Sequence, residues 1–135
     1  MAIDTSALLA LLEGEPERHR FNNTLAAASV RRLSAASYVE ASIVVHARRG
    51  RAALHDLMVY VTRAGMEIVA VGPDQAEVAV EAYVRFGKGH HPAGLNYGDL
   101  FAYALARTTD DSLLYKGEDF GRTDVLPALL SDGKG

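Results

Sequence analysis

Cysteine and tryptophan are both absent from this 135-residue sequence. Without cysteine there is no disulfide framework, no thiolate metal site and no Cys nucleophile. That composition fits a reducing compartment. Long apolar runs are missing as well. The longest stretches free of Asp, Glu, Lys and Arg are ten residues, Phe21–Val30 and Gly89–Gly98, about half of the ~20 residues that a membrane helix needs. No basic segment precedes an apolar stretch at the start, so nothing there reads as a secretory signal. A surplus of positive charge is also lacking: 14 Lys and Arg stand against 17 Asp and Glu, for a net charge of −3. Such a balance argues against a protein that holds a nucleic-acid duplex by sheer positive charge, though it leaves room for a local basic face.

What is present is 49% hydrophobic residues, enough for one domain with its own core at a length where ~100–200 residues make a domain. The charge is uneven. Residues 18–63 hold eight arginines against Glu40 and Asp56 and sum to +6, so the remainder carries −9. No repeat or linker divides the chain. It reads as a single domain over 1–130, followed by a polar tail at 131–135 expected to be flexible.

Short apolar pieces alternate with helical patterns. Met1–Ile3 reads as a strand ending at Asp4, followed by a helix through Leu8 to about Gly14. Pro16 suits the first turn of a second helix reaching about Ala28. Val30–Leu33 reads as a strand. Ser34 caps a helix over Ala35–Arg48, Gly50 stops it, and a further helix runs from about Ala52 to Gly65. Glu67–Val71 reads as a buried strand, Pro73–Phe86 as a helix, and Gly87–Leu95 as a loop. Asn96 opens a helix reaching Arg107, and Ser112–Tyr115 forms a strand, with a last short piece around Val125–Leu130. Strands separated by helices predict an α/β fold, a mainly parallel sheet with helices on both faces. Sites in such sheets lie beyond the carboxyl ends of the strands, which is where Asp4 falls.

Four carboxylates stand out. Asp4 sits at a strand-to-helix junction, where an N-cap is the ordinary use of an acid. Glu40 has Ala36, Ser37, Ile43 and Val44 as its three- and four-residue neighbours on a helix, which puts a charge within an apolar stripe. Either it has an Arg partner, or the stripe is rotated toward solvent, or the acid is functional. Asp99 lies in a first helical turn with Ala102, Tyr103 and Ala106 beside it. A capping box with Asn96 explains an acid there, but not one facing the core. Asp119, after Lys116-Gly117-Glu118, reads as a turn acid on its own. Converging acids of this kind can hold hard divalent cations through oxygen, polarise a phosphoryl oxygen and lower the pKa of a bound water.

Three stretches carry a resemblance: Ile3-Asp4-Thr5-Ser6-Ala7-Leu8, Ser37-Tyr38-Val39-Glu40-Ala41, and Gly87-Lys88-Gly89-His90-His91-Pro92-Ala93-Gly94-Leu95-Asn96-Tyr97-Gly98-Asp99 running on to Ala106. With Leu113–Phe120 and Thr123-Asp124-Val125 they resemble PIN-domain ribonucleases, and more narrowly the VapC toxins of type II toxin–antitoxin systems. The resemblance covers nearly the whole chain, in order. It implies a three-layer α/β sandwich and an Mg²⁺-dependent endoribonuclease, with Mn²⁺ as an alternative ion, restrained by a VapB-type antitoxin. It also implies a homodimer, a toxin–antitoxin hetero-oligomer, and a cytoplasmic, prokaryotic setting without membrane association. Its acidic residues fall on Asp4, Glu40, Asp99 and Asp119, with Asp4 and Asp99 as principal metal ligands and Thr5 and Ser6 as supporting hydroxyls. Glu118 and Asp124 are the competitors for the fourth position.

On this reading a metal-activated water attacks the phosphodiester in line and leaves a 5′-phosphate and a 3′-hydroxyl. The other readings are a weakly catalytic antitoxin-binding or co-repressor module, a non-toxin PIN-type nuclease, and a phosphoryl-acceptor domain. The last of these usually wants paired acids in the first motif, and Asp4-Thr5-Ser6 lacks the second. His90-His91 invites a metal reading, but RNA contact or loop solvation suits adjacent histidines better. Arg48, Arg49 and Arg51 are candidates for RNA phosphate contact, or simply cations favoured at a helix C-terminus. Leu8, Leu9, Leu12 and Val45 are either core residues or a receptor for an antitoxin helix.

Overall fold

The computed structural model describes residues 1–129; Leu130 and the tail expected at 131–135 lie outside the described residues. Along the chain come β1 (Ala2–Ile3), α1 (Thr5–Leu12), α2 (Arg18–Ala27), β2 (Arg31–Ser34) and α3 (Ala35–Arg63). They are followed by β3 (Met66–Val69), α4 (Pro73–Phe86), α5 (Tyr97–Thr108) and β4 (Leu113–Leu114), then a single 3-10 turn at Phe120–Arg122. The four strands pair in the order β3-β2-β1-β4, and every pairing is parallel. A parallel bridge between Leu113 and Pro127 continues the sheet past β4.

Alternation along the strands builds two cores. Ile3, Leu33 and Leu114 enter one apolar cluster with Leu8, Leu11, Phe21 and Leu57 from α1, α2 and α3. Ala2 and Leu113 point the other way, into a cluster with Ala79, Ala82, Leu100, Tyr103 and Leu105 from α4 and α5. A period of two in a strand and helices on both faces give the expected three layers.

Several expectations are adjusted. The helices on either side of Gly50 run as one element, α3, broken only where Gly50 adopts φ +83°. Pro16 precedes α2 by two residues rather than lying in its first turn. β3 is an edge strand, so Glu67 and Ile68 face solvent rather than a buried interior. Leu8 and Val45 are core residues, and Leu9 and Leu12 pack partly buried against them. On the first half of α3 the exposed apolar residues are instead Val39 and Ile43, at 55% and 64%. On α3 the buried line is Ser37, Ala41, Val45, and Glu40 lies half-buried at its edge with Ile43 exposed on the outer side.

Candidate active site

Because all four strands are parallel, their carboxyl ends share one edge of the sheet, and the acids gather there. Asp4 follows β1 directly and caps α1. Its Oδ2 accepts the Ser6 backbone N–H at 3.0 Å and the Ser6 hydroxyl at 2.6 Å. The Ser6 oxygen in turn accepts the backbone N–H of Lys116 at 3.0 Å, which ties the end of β4 to Asp4. Asp4 is 3% exposed, and its Oδ1 is buried with no hydrogen-bond partner. Burial pushes its carboxyl up to about 7, against the pull of the Ser6 hydrogen bonds, and the charges of Asp99 and Glu40 add to the rise.

Glu40, one turn into α3, accepts the Thr5 hydroxyl on Oε1 at 2.7 Å. Asp99 sits at the third position of α5 in a reciprocal capping box: its Oδ2 accepts the Asn96 N–H at 3.0 Å, and Asn96 Oδ1 accepts its own N–H at 3.1 Å. The box satisfies two orphan donors of the helix start. It also fixes the acid at the end of α5 that faces Asp4 and Glu40. Burial raises the Asp99 pKa above the ordinary carboxylate value, and neighbouring Asp119 and Glu40 raise it further.

The competitors for the fourth position separate. Asp119 is exposed and close enough to act on Asp99. Glu118, 89% exposed, turns to Arg122 at 3.9 Å. Asp124 is engaged elsewhere, accepting the Tyr103 hydroxyl at 2.5 Å and pairing with Arg85 and Arg107. The structure therefore gathers Asp4, Glu40 and Asp99 at one edge with Asp119 near Asp99, while Glu118 and Asp124 face arginines. Thr5 and Ser6 each hold one of the gathered acids.

The donor set is all oxygen, it is anionic, and one buried carboxylate oxygen is unpaired, which fits a hard divalent cation. Among the described residues no three His, Asp or Glu side chains form a ready-made cage. Asp4, Glu40 and Asp99 each give one oxygen to Ser6, Thr5 or Asn96. A magnesium-type ion takes one or two carboxylates and keeps its waters, so it needs no closed cage.

The histidines do not converge on this edge. His90 Nε2 lies 2.7 Å from the Tyr83 carbonyl, and His91 Nδ1 accepts the Ala93 N–H at 2.9 Å. Both brace the loop against α4. Arg48 and Arg49 pair with Glu13 at 2.7 and 3.6 Å, while Arg51 is exposed beside the Gly50 break. Sequence reasoning passed over Gly98, which lies against the Glu40 carboxylate. A glycine at the second position of a well-capped helix was the available signal, since Gly costs ~1 kcal/mol there relative to Ala.

Parallel strands, helices on both faces and acids at the carboxyl edge agree with what the sequence shows: the chain belongs to the PIN domain family, whose sequence model matches residues 1–126. Within that class it falls among the VapC ribonucleases. It is 47% identical over 130 residues to Ribonuclease VapC30 of Mycobacterium tuberculosis H37Rv, covering 96% of this chain and 99% of that protein. It is 49% identical over 125 residues to Ribonuclease VapC of Mycolicibacterium smegmatis, covering 93% and 97%. Among solved structures, M. tuberculosis VapC20, described as a sarcin–ricin-loop-cleaving toxin, superposes with a TM-score of 0.73 at 22% identity over 93% of this chain and 98% of that one. Rickettsia felis VapBC2, solved on a DNA fragment from its promoter, gives 0.70 at 14% identity over 93% and 94%. At those identities the two structures speak for the fold.

Proposed function

We propose that the chain is the toxin of a type II toxin–antitoxin pair: an endoribonuclease that hydrolyses RNA phosphodiesters with Mg²⁺ and is restrained by a VapB-type antitoxin. The observation that carries the reading is the buried, unpaired Oδ1 of Asp4, facing the charges of Asp99 and Glu40 at the carboxyl edge of a parallel sheet. Repelling acids in a buried corner cost stability, and a cation that they hold together returns it. Near-full-length similarity to proteins named as VapC ribonucleases supports the same conclusion.

Asp4 and Asp99 would hold the ion, with Glu40 and Asp119 completing the acidic rim. When bound, Mg²⁺ supplies a water of lowered pKa and stabilises charge on the phosphoryl oxygens. The chain's own residues do the rest. Ser6 fixes which oxygen of Asp4 stays free, and Thr5 sets the orientation of Glu40. The Asn96–Asp99 box holds Asp99 at the mouth of the site. With water as nucleophile the products are a 5′-phosphate and a 3′-hydroxyl. Arg48, Arg49 and Arg51 remain a proposed phosphate-contacting patch, and assembly as a homodimer and with antitoxin in a bacterial cytoplasm belongs to the same proposal.

Labelled RNA incubated with the purified chain tests it. Cleavage is expected with Mg²⁺, none with EDTA, and at least a hundred-fold loss for Asp4→Asn or Asp99→Asn at roughly the magnitude of removing one key electrostatic group. Full cleavage by folded Asp4→Asn and Asp99→Asn chains would reject this site.

A further inference from the structure

Lys116 stands where the end of β4 meets the acids, and it is held from two sides. Its backbone N–H donates to the Ser6 oxygen at 3.0 Å, and the Ser6 hydroxyl donates to Asp4 at 2.6 Å. Its ammonium donates to Glu15 Oε1 at 2.6 Å and lies 3.3 Å from Glu17 Oε1. Both acids belong to the turn between α1 and α2. The Glu17 oxygen is shielded from solvent, and the ammonium is its counter-charge. Two carboxylates so close in a turn repel each other, and Lys116 is the cation between them. The segment that follows needs such an anchor. Gly117 adopts φ +97° and has no side chain to hold it, and Glu118 is 89% exposed. Asp119 comes next. Only then does buried Phe120, packed on Tyr115 with ring centroids 5.3 Å apart, return the chain to the core. Asp119 thus hangs between a polar anchor at Lys116 and an apolar one at Phe120.

We infer that Lys116 is a positioning residue of the nuclease: gripped by Glu15 and Glu17, it holds its own N–H on Ser6 and so fixes both the orientation of Asp4 and the reach of Asp119. The inference rests on the ribonuclease reading above and adds a residue that acts through Ser6 and the loop rather than on metal or RNA. A hard cation shared by carboxylates from two segments needs a set separation between them, and here both depend on where residue 116 sits. Groups that orient metal ligands weigh about ten- to a hundred-fold in metal affinity or activity. Ion pairs near a surface stabilise a fold little, so loss of this clamp is felt at the site more than in melting. The alternative is a lysine that contacts RNA phosphate. The geometry speaks against it, because an ammonium already shared by two carboxylates has little net charge to offer.

Two measurements on the full chain test the inference: Mn²⁺ binding, read from the free ion's electron paramagnetic resonance signal, and RNA cleavage at varied Mg²⁺ and RNA. Lys116→Met should weaken Mn²⁺ binding and raise the Mg²⁺ requirement about ten-fold. It should lower kcat and leave the KM for RNA nearly unchanged. Glu15→Gln/Glu17→Gln should do the same from the other side, and adding it to Lys116→Met should cause no further loss. Lys116→Arg should keep most of the binding and the rate. Melting curves show which chains are folded, and the glutamine pair decides the matter if Lys116→Met is not. A phosphate contact gives the opposite pattern: Lys116→Met would raise KM at unchanged kcat, and freeing the lysine with the glutamine pair would tighten RNA binding. That pattern would overturn the inference and leave the nuclease standing. So would wild-type Mn²⁺ binding and cleavage in both variants, or losses that merely follow the unfolded fraction. A wild-type chain that cut no RNA, with Mn²⁺ binding that still fell with the clamp, would overturn the nuclease reading alone.

Discussion

Gly98 lies so close to the carboxylate of Glu40 that a β-carbon there would overlap its oxygens and its carboxyl carbon. The contact joins the first turn of α5 to α3 and brings Asp99, the next residue, beside Glu40. A side chain at 98 would have to displace either the acid or the helix. Gly98→Ala should therefore gain helix propensity yet lose function. Overpacking costs ~1–3 kcal/mol, partly offset by the ~1 kcal/mol that Ala gains over Gly in a helix. We expect a shift of only a few degrees in thermal melting but a loss of RNA cleavage well beyond ten-fold. Wild-type cleavage by Gly98→Ala would show that Glu40 need not stay where it is.

Asp4 links stability to pH. Its carboxyl is pushed up to about 7 by burial, whereas an unfolded chain releases that proton near 3.9. Between about pH 4 and 7 the folded chain binds the proton more tightly, so stability falls as pH rises through that window and levels off above it. Asp4→Asn keeps a good N-cap and removes the buried charge. At pH 8 the variant should melt higher than the wild-type chain by a few kcal/mol's worth of stability, and the gap should close toward pH 4. Mg²⁺ should raise the melting temperature of the wild-type chain at pH 8 and leave Asp4→Asn nearly unmoved. Calorimetry at pH 4, 6 and 8, with and without Mg²⁺, checks the sign. A variant less stable than wild type at pH 8 would reject the buried-charge account.

Much of this was legible in the sequence, because local rules decided it. Ser34 caps α3, Gly50 breaks it with φ +83°, and Asn96 with Asp99 forms the box that their three-residue spacing announces. Asp4 at a strand end and Asp99 in a first turn needed only the parallel-sheet rule. What escaped depends on partners far along the chain. Glu40 looked as if it faced the core, but the choice between the Ser37–Ala41–Val45 line and the Ile43 line is made by what α3 packs against. Glu118, Asp119 and Asp124 look alike in a short acidic stretch. Only the buried Tyr103 hydroxyl and the arginines of α4 and α5 draw Asp124 away. Nor does spacing show that Ser6, rather than another hydroxyl, meets the Lys116 N–H 110 residues later.

Ser6 should tune the acid it holds. Its hydroxyl lowers the Asp4 pKa by donating to the carboxylate. Ser6→Ala removes that donor and also leaves the Lys116 N–H without its acceptor. The stability cost should be about 0.5–1.5 kcal/mol for the lost bonds. Because Asp4 then ionises at higher pH, the acid limb of the cleavage profile should move upward, and cleavage at neutral pH should drop several-fold more than at pH 8.5. An unmoved profile with an equal loss at every pH would make Ser6 a purely structural link.

The last pair of acids separates function from stability. Asp119 is exposed, and its neighbour in charge is Asp99. Asp124 accepts from a tyrosine that is 2% exposed and whose hydroxyl is pushed up to about 12 by burial and by that same bond. Removing the Asp124 charge weakens a hydrogen bond inside the α4–α5 packing, at a cost of about 1–3 kcal/mol for a charged partner. Asp124→Asn should therefore melt several degrees lower, yet cleave RNA normally per folded molecule at a temperature where it is intact. Asp119→Asn should melt with the wild-type chain and cleave at least ten-fold more slowly, with a higher Mg²⁺ requirement, because it removes charge from the acidic rim without touching the core. Melting curves and cleavage rates on the same preparations read both effects. If Asp124→Asn lost cleavage while Asp119→Asn kept it, the fourth acid of the site would be Asp124, and the loop carrying both would have to rearrange when RNA binds.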